Sequence, residues 1–180
     1  IVAESDLHFT KLFDLNNNYF NLNNYNIKFT GSDSWLGRGT LISPAEFQGK
    51  VNLYNTVFIE GNIIITDSLQ NRNYYSATVY INGNITNNGI IQDNANSSLT
   101  NYIRGNIVNN GEWKNSINKL DGFGPQNISM QTGVTFDCQF INKNISDTII
   151  ALSDLHFTKS FDLDNNYINL NNNNIKFSGN

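Results

Sequence analysis

The sequence contains few of the residues that cross-link small folds or interrupt strands. Its 180 residues include one cysteine, Cys138, and two prolines. A lone cysteine excludes an internal disulfide and a zinc site built from cysteines. No run of about 18 apolar residues occurs, so the sequence predicts no membrane span in this segment.

Charge is also scarce. Only 14% of the residues are charged, with 11 basic against 15 acidic side chains and a net charge of −4. Because no basic cluster is present, the sequence lacks the phosphate-neutralising patch that nucleic-acid binding requires. Asparagine, with 35 copies, replaces charged residues, and 22 aromatic side chains are too many for a disordered polar tract. The chain is therefore expected to fold and to bury them.

A long internal repeat divides the chain. Residues 3–31 and 151–179 share 23 of 29 positions at a displacement of 148 positions. We expect residues 1–148 to form one complete repeat unit of about seven coils, and residues 149–180 to begin the next unit of the same solenoid. If the unit holds a whole number of coils, the second copy should start on the same face as the first.

A shorter repeat lies inside this unit and defines a 22-residue frame. Residues 57–63 align with 79–85 and then with 101–107, and the frame is extended back to residues 36–41. Glycine recurs in one column, which predicts turns, and apolar residues recur in three columns, which predict a core. The glycines are Gly39, Gly61, Gly83 and Gly105; the core columns are Ile59, Ile81 and Ile103; Leu41, Ile63, Ile85 and Ile107; and Phe47, Leu69, Ile91 and Trp113.

Short alternating runs at a fixed spacing predict an all-β protein, a right-handed parallel β-helix (β-solenoid) with about 21–22 residues per coil. The only helix-start signal, residues 43–46, predicts one helical turn at most. An antiparallel β-sandwich or a string of such repeats is the alternative, because several Asn-Gly pairs suit hairpin turns. The equal spacing favours the solenoid, since a sandwich does not require it.

Stacking also accounts for the asparagines. Like charges repel when they stack at about 4.8 Å, whereas a neutral amide can donate to one coil and accept from the next. Three asparagine ladders are predicted on this basis: Asn62, Asn84 and Asn106; Asn87 with Asn109; and Asn88 with Asn110.

No catalytic, cofactor-binding or metal-binding residue is assigned. The acidic residues are scattered, and the repeated Asp-x-His at Asp6 and His8 supplies only two ligands. We therefore expect a protein that is not an enzyme and needs no cofactor. Six aromatic residues could stack on sugars if they are exposed, namely Trp35, Tyr54, Tyr74, Tyr75, Tyr80 and Tyr102.

The segments 81–89 and 103–111, with their Gly-Asn-Ile and Asn-Asn-Gly phrases, resemble repetitive β-helical bacterial surface adhesins and extracellular fibre proteins. The resemblance implies a structural repeat of a rigid extracellular or cell-surface rod. Its partners would be copies of itself or adjacent repeats joined end to end, and surface glycans. The alternative function is that of a carbohydrate-binding or carbohydrate-cleaving β-helix.

Overall fold

The fold is that of a computed structural model, which describes residues 5–144 and 148–179. Within these ranges the chain forms 25 short strands and no helix. The strands visit three faces in rotation, and the nine strands of the first face bracket about eight turns. The first face consists of β1 (Leu7–Phe9), β4 (Ile27–Phe29), β7 (Ala45–Phe47), β10 (Ile63–Ile65), β13 (Ile85–Asn87), β16 (Ile107–Asn109), β19 (Gln126–Met130), β21 (Ile149–Ala151) and β24 (Ile168–Asn169).

The other two faces complete each turn. The second consists of β2 (Leu12–Phe13), β5 (Ser34–Leu36), β8 (Val51–Leu53), β11 (Ser68–Asn71), β14 (Ile90–Gln92) and β17 (Glu112–Lys114), continued through bridges at Phe136 to β22 (Leu155–Phe157) and β25 (Ile175–Phe177). The third consists of β3 (Asn18–Asn21), β6 (Gly39–Ile42), β9 (Asn55–Ile59), β12 (Ala77–Ile81), β15 (Leu99–Ile103), β18 (Ile117–Leu120), β20 (Gln139–Asn142) and β23 (Phe161–Asp162).

All strand pairs among the described residues are parallel and join successive turns. The predicted β-solenoid is therefore confirmed, and the antiparallel sandwich is wrong. Alternation explains the local structure: within β12, for example, Val79 and Ile81 point inward and are fully buried, while Thr78 and Tyr80 face outward. The inward side chains of all turns form one continuous apolar core. The hand of the coil remains a prediction.

The 22-residue frame holds over the middle of the chain. Ile63 pairs with Ile85 and Ile85 with Ile107 on the first face. The other two core columns follow the same step, on the third face (Ile59, Ile81, Ile103) and on the second (Leu69, Ile91, Trp113).

The extension of that frame to Gly39, Leu41 and Phe47 is wrong. Leu41 pairs with Ile59 and Phe47 with Ile65, so the coil between these turns is shorter than the frame requires. Gly39 accordingly pairs with Val57 and not with Gly61. Residues 43–46 form no helical turn, because strand β7 is paired on both sides, with β4 and with β10.

The predicted column of turn glycines is explained by close packing of successive coils and not by a backbone conformation that only glycine adopts. Gly61, Gly83 and Gly105 do not have a left-handed φ. A Cβ on Gly83 would instead lie 2.4 Å from the carbonyl carbon of Gly61 in the preceding coil. Glycine is therefore required here because two backbones approach closely at the corner. Gly39, with φ of 132°, does need a conformation that favours glycine.

The repeated segment folds in the same way twice. Phe9 stacks on Phe29 at 5.8 Å between ring centroids, and their counterparts Phe157 and Phe177 stack at 5.6 Å. The same turn positions adopt left-handed conformations in both copies, with φ between 47° and 79°: Asn16, Asn17, Asn23 and Asn24 in the first, and Asp164, Asn165, Asn171 and Asn172 in the second. Local structure therefore follows local sequence.

The second copy nevertheless starts on a different face. Strand β1 pairs within the first face, whereas its counterpart β22 continues the second face through the bridge between Phe136 and Phe157. Strand β21, not β22, follows β19 on the first face. The expected return to the same face is therefore wrong, because one repeat unit advances the chain by seven turns and one additional face.

The predicted asparagine ladders differ in chemistry. Asn87 is fully buried and donates through Nδ2 to Oδ1 of Asn109 at 2.8 Å, an amide–amide bond inside the core. Asn110 donates to Asn88 at 2.9 Å on the surface. The column of Asn62, Asn84 and Asn106 is joined differently, because the Oδ1 atoms of Asn62 and Asn84 each accept the backbone N–H of the next asparagine in the column at 2.8 Å.

Candidate functional site

The outward-facing columns of the three faces are the surfaces available to a ligand. On the third face, Thr56, Thr78 and Thr100 form one column. Beside it stand Phe58, Tyr80 and Tyr102, followed by Lys119.

The aromatic column of the third face is poorly suited to sugar stacking. Ring centroids lie 4.7 Å apart for Phe58 and Tyr80 and 4.5 Å apart for Tyr80 and Tyr102, with nearly parallel planes. Lys119 Nζ lies 4.5 Å from the Tyr102 centroid and donates to its hydroxyl at 2.7 Å. Because the ring faces of Tyr80 and Tyr102 contact one another and Lys119, mainly their edges remain exposed. The prediction that these two tyrosines could act as sugar platforms loses support.

The second face carries a run of amides beneath an aromatic residue. Trp35, Asn52, Gln70 and Gln92 occupy one outward column. Gln70 donates to Asn52 at 2.8 Å and Gln92 donates to Gln70 at 2.9 Å. The Nδ2 group of Asn52 in turn donates to the carboxylate of Asp33 at 2.8 Å. The amide run is therefore fixed by hydrogen bonds along the solenoid axis.

Arg72 lies against the aromatic end of this column. The carbon of its guanidinium lies 4.1 Å from the ring centroid of Trp35, 5.1 Å from that of Tyr75 and 5.7 Å from that of Tyr54. These distances are within the range of cation–π interaction. The three rings therefore hold a cation at a defined place on the second face.

Tyr74 projects from the adjoining turn. It is the one residue other than asparagine, aspartate or glycine with a left-handed φ (64°) among the described residues, and 72% of its side chain is exposed. A bulky residue in this conformation costs free energy that asparagine or glycine would not. The turn therefore keeps an exposed aromatic ring at the expense of stability.

A cleft of about 320 Å³ lies at this place on the second face, and we call it the Arg72 groove. It is lined by Asp33, Trp35, Lys50, Asn52, Gln70, Arg72, Asn73, Tyr74, Tyr75 and Asn94. Lys50 Nζ lies 2.9 Å from the carboxylate of Asp33. The hydrogen bond from Lys50, followed by that from Asn52, lowers the pKa of Asp33, so this carboxylate is charged at neutral pH. Because Lys50 and Asp33 cancel, the charge of Arg72 gives the groove one net positive charge.

Other chemical candidates are weaker. Larger clefts flank residues 130–134, but no group of three or more His, Cys, Asp or Glu side chains that could hold a metal occurs in residues 5–144 and 148–179. His156 contacts Ser178 at 2.7 Å. Cys138 is fully buried, and that burial raises the pKa of its thiol well above the usual value. A buried, protonated thiol is a weak nucleophile.

Sequence reasoning finds the aromatic members of the groove and misses its polar members. Trp35, Tyr54, Tyr74 and Tyr75 are among the predicted sugar contacts. The rings of Trp35, Tyr54 and Tyr75 surround the Arg72 guanidinium, and Trp35, Tyr74 and Tyr75 line the groove. The run of Asn52 and Gln70 is missed because these two residues pair across a shorter coil and fall outside a 22-residue frame. A search allowing variable steps would have aligned them.

Comparison with known proteins gives no relative. No protein-family model matches the chain. No curated protein and no solved structure matches it. Among the described residues, no helix is long and apolar enough to cross a membrane. The fold and the Arg72 groove are therefore the features from which a function can be inferred.

Proposed function

We propose that this chain is a structural repeat of an extracellular or cell-surface fibre or adhesin, in which stacked coils build a long rigid rod. The observation that carries the proposal is that the repeated segment forms the same strands and turns in both copies within one continuous stack. A parallel stack of this kind lengthens without changing its cross-section, because each coil buries the apolar side chains of its neighbour.

The geometry gives the rod a defined period. A unit of seven and one-third turns, at about 4.8 Å per turn, rises about 35 Å. Since each unit starts one face later, three units return the pattern to its original face after about 106 Å. Surface features such as the Arg72 groove would then be displayed successively on all three sides of the rod.

Tandem proteins built from one, two and three copies of residues 3–150 test this proposal. Small-angle X-ray scattering should give a constant cross-sectional radius and a length that grows by about 35 Å per copy. Beads joined by flexible links would contradict it. Antibody labelling and protease shaving of intact cells test the proposed surface location, since an intracellular protein would be protected.

A second function, glycan recognition by the rod, is favoured by the Arg72 groove. Exposed rings beside amide and carboxylate groups form the combination that contacts the apolar and hydroxyl sides of a sugar. Cleavage is less favoured, since glycoside hydrolysis ordinarily uses two carboxyl groups and Asp33 supplies the only one among the described residues that line the groove. A glycan array with the wild type and Trp35→Ala tests recognition, and a reducing-sugar assay tests cleavage.

A further inference from the structure

The unusual feature of the Arg72 groove is its unpaired cation. The chain has three arginines. Arg38 pairs with Asp14 at 2.9 Å, and Arg104 pairs with Asp121 at 3.5 Å. Arg72 forms no ion pair within residues 5–144 and 148–179, and its guanidinium donates no hydrogen bond to them.

The aromatic contacts position the Arg72 guanidinium but provide neither a hydrogen-bond acceptor for its N–H groups nor a negative charge to pair with it. The guanidinium carbon lies 4.1 Å from the Trp35 centroid, and this cation–π contact leaves the planar fork of N–H donors without a hydrogen-bond acceptor among the described residues. An edge of parallel N–H groups matches the two oxygens of a carboxylate. Arg72 is therefore arranged to receive a planar anion and contributes no charge pairing to the fold.

The rest of the groove suits a sugar ring attached to that anion. Tyr74 and Tyr75 are 72% and 48% exposed and offer apolar surface. Asn73 and Asn94 line the same cleft and supply amide donors and acceptors for hydroxyl groups. The Lys50–Asp33 pair is internally neutral. One positive charge thus faces a cleft of about 320 Å³, at the lower end of the size range of small-ligand sites.

We propose that the Arg72 groove binds a carboxylate-bearing sugar, a uronate or sialate residue, through a two-point contact between Arg72 and the carboxylate while the sugar ring packs against Tyr74 and Tyr75. This inference rests on the second function above, glycan recognition, and names its ligand class. The strained conformation of Tyr74 agrees with it, because the strain is retained at a residue that would contact the ligand.

The test is a titration of the full 180-residue chain with methyl glucuronide and with N-acetylneuraminic acid. Binding is monitored through the chemical shift of the Trp35 indole N–H in NMR spectra. Methyl glucoside is the neutral match to the glucuronide, and sodium sulfate is the plain anion. We expect saturable shifts with the acidic sugars and at least tenfold weaker binding of methyl glucoside. Arg72→Gln should weaken acidic-sugar binding about tenfold or more, and Arg72→Lys nearly as much, because lysine lacks the planar fork.

Arg104→Gln is the matched control, because it removes the same charge from another part of the rod. Binding should be unchanged in this variant, and melting curves for all three variants check that the fold is intact. If glucoside binds as tightly as glucuronide, glycan recognition stands and the carboxylate contact is wrong. If sulfate displaces the sugars with equal affinity, the groove is a general anion site and the proposal fails. If no sugar produces a shift, both the inference and glycan recognition are wrong.

Discussion

Replacement of Gly83 by alanine tests the close approach of successive coils. The added Cβ would lie 2.4 Å from the carbonyl carbon and oxygen of Gly61, both of which are backbone atoms, whereas ordinary contacts are 3.4–4 Å. The coils must therefore separate by about 1 Å at this corner, against a spacing of about 4.8 Å. The chain cannot relieve the clash by rotating a side chain.

The cost of this separation can be estimated from the neighbouring hydrogen bonds. The N–H of Asn82 donates to the carbonyl of Ile59 at 2.9 Å, and that of Ile63 donates to the carbonyl of Asn84 at 2.8 Å. An increase of about 1 Å would break both, at roughly 0.5–1.5 kcal/mol each. Residual overpacking adds about 1–3 kcal/mol. We therefore expect Gly83→Ala to lose about 3 kcal/mol of unfolding free energy and to lower the Tm by roughly 6–12 °C.

Gly124→Ala is the matched control. Apart from its chain neighbours, no described atom lies within 4 Å of a Cβ at Gly124, and its φ is not left-handed, so the same methyl group should change stability by less than about 0.5 kcal/mol. Urea unfolding followed by far-ultraviolet circular dichroism measures both variants. Equal losses in the two variants would refute the argument that coil spacing, and not glycine itself, sets the cost.

Three further perturbations probe the ladders, the groove and its charges. Asn87→Ala should lower the free energy of unfolding in urea by about 2–3 kcal/mol, because buried acceptors lose their donor. Asn88→Ala, on the surface, should lower it by less than about 0.5 kcal/mol. Similar losses in the two variants would contradict a buried ladder. Tyr74→Asn should raise stability by about 0.5–1 kcal/mol while weakening sugar binding, and a loss of stability would show that no strain is stored there. The pKa of Asp33 is lower in the folded protein than in the unfolded chain, so its charge contributes fully to stability above an unfolded pKa of about 3.9, and this contribution is lost as the pH falls through the folded pKa. Calorimetry from about pH 6 to about pH 2 should therefore show a smaller decrease in Tm for Asp33→Asn than for the wild type. Equal decreases would refute this contribution.

The parts of the fold that could be predicted from the sequence are those where spacing and residue type recur together. Ile63, Ile85 and Ile107 fill equivalent places, so their spacing reveals the stack directly. Around Ala45 the turn is shorter, and alanine stands where isoleucine recurs elsewhere. Neither the spacing nor the residue type then identifies the column, which is why the alignment of Leu41 and Phe47 with the 22-residue frame is wrong.

The one-face advance of the repeat and the Arg72 groove were beyond sequence reasoning for a related cause. Both depend on summing coils of unequal length, which no local pattern discloses. Arg72 illustrates this point, since it meets Trp35 only because the intervening coils place residues 35 and 72 beside each other on one face. The hydrogen-bond partners within the asparagine ladders could not be predicted from sequence either, because the side chains of Asn84 and Asn106 accept from backbone N–H groups and not from the side-chain amides of the next coil.

The central claim, that residues one coil apart stack directly and in parallel, is tested most directly by a designed disulfide. The hydroxyl oxygens of Ser76 and Ser98 lie 3.2 Å apart across adjacent coils, a separation that two cysteines can bridge. Cys138 is buried and should not compete. We predict that Ser76→Cys with Ser98→Cys loses both new thiols on mild oxidation and gives a linked 76–98 peptide by mass spectrometry. Ser76→Cys with Ser116→Cys should keep its thiols free, because position 116 lies two coils away, at least about 9.6 Å along the axis. Efficient bridging of that pair, or none between positions 76 and 98, would contradict the stack.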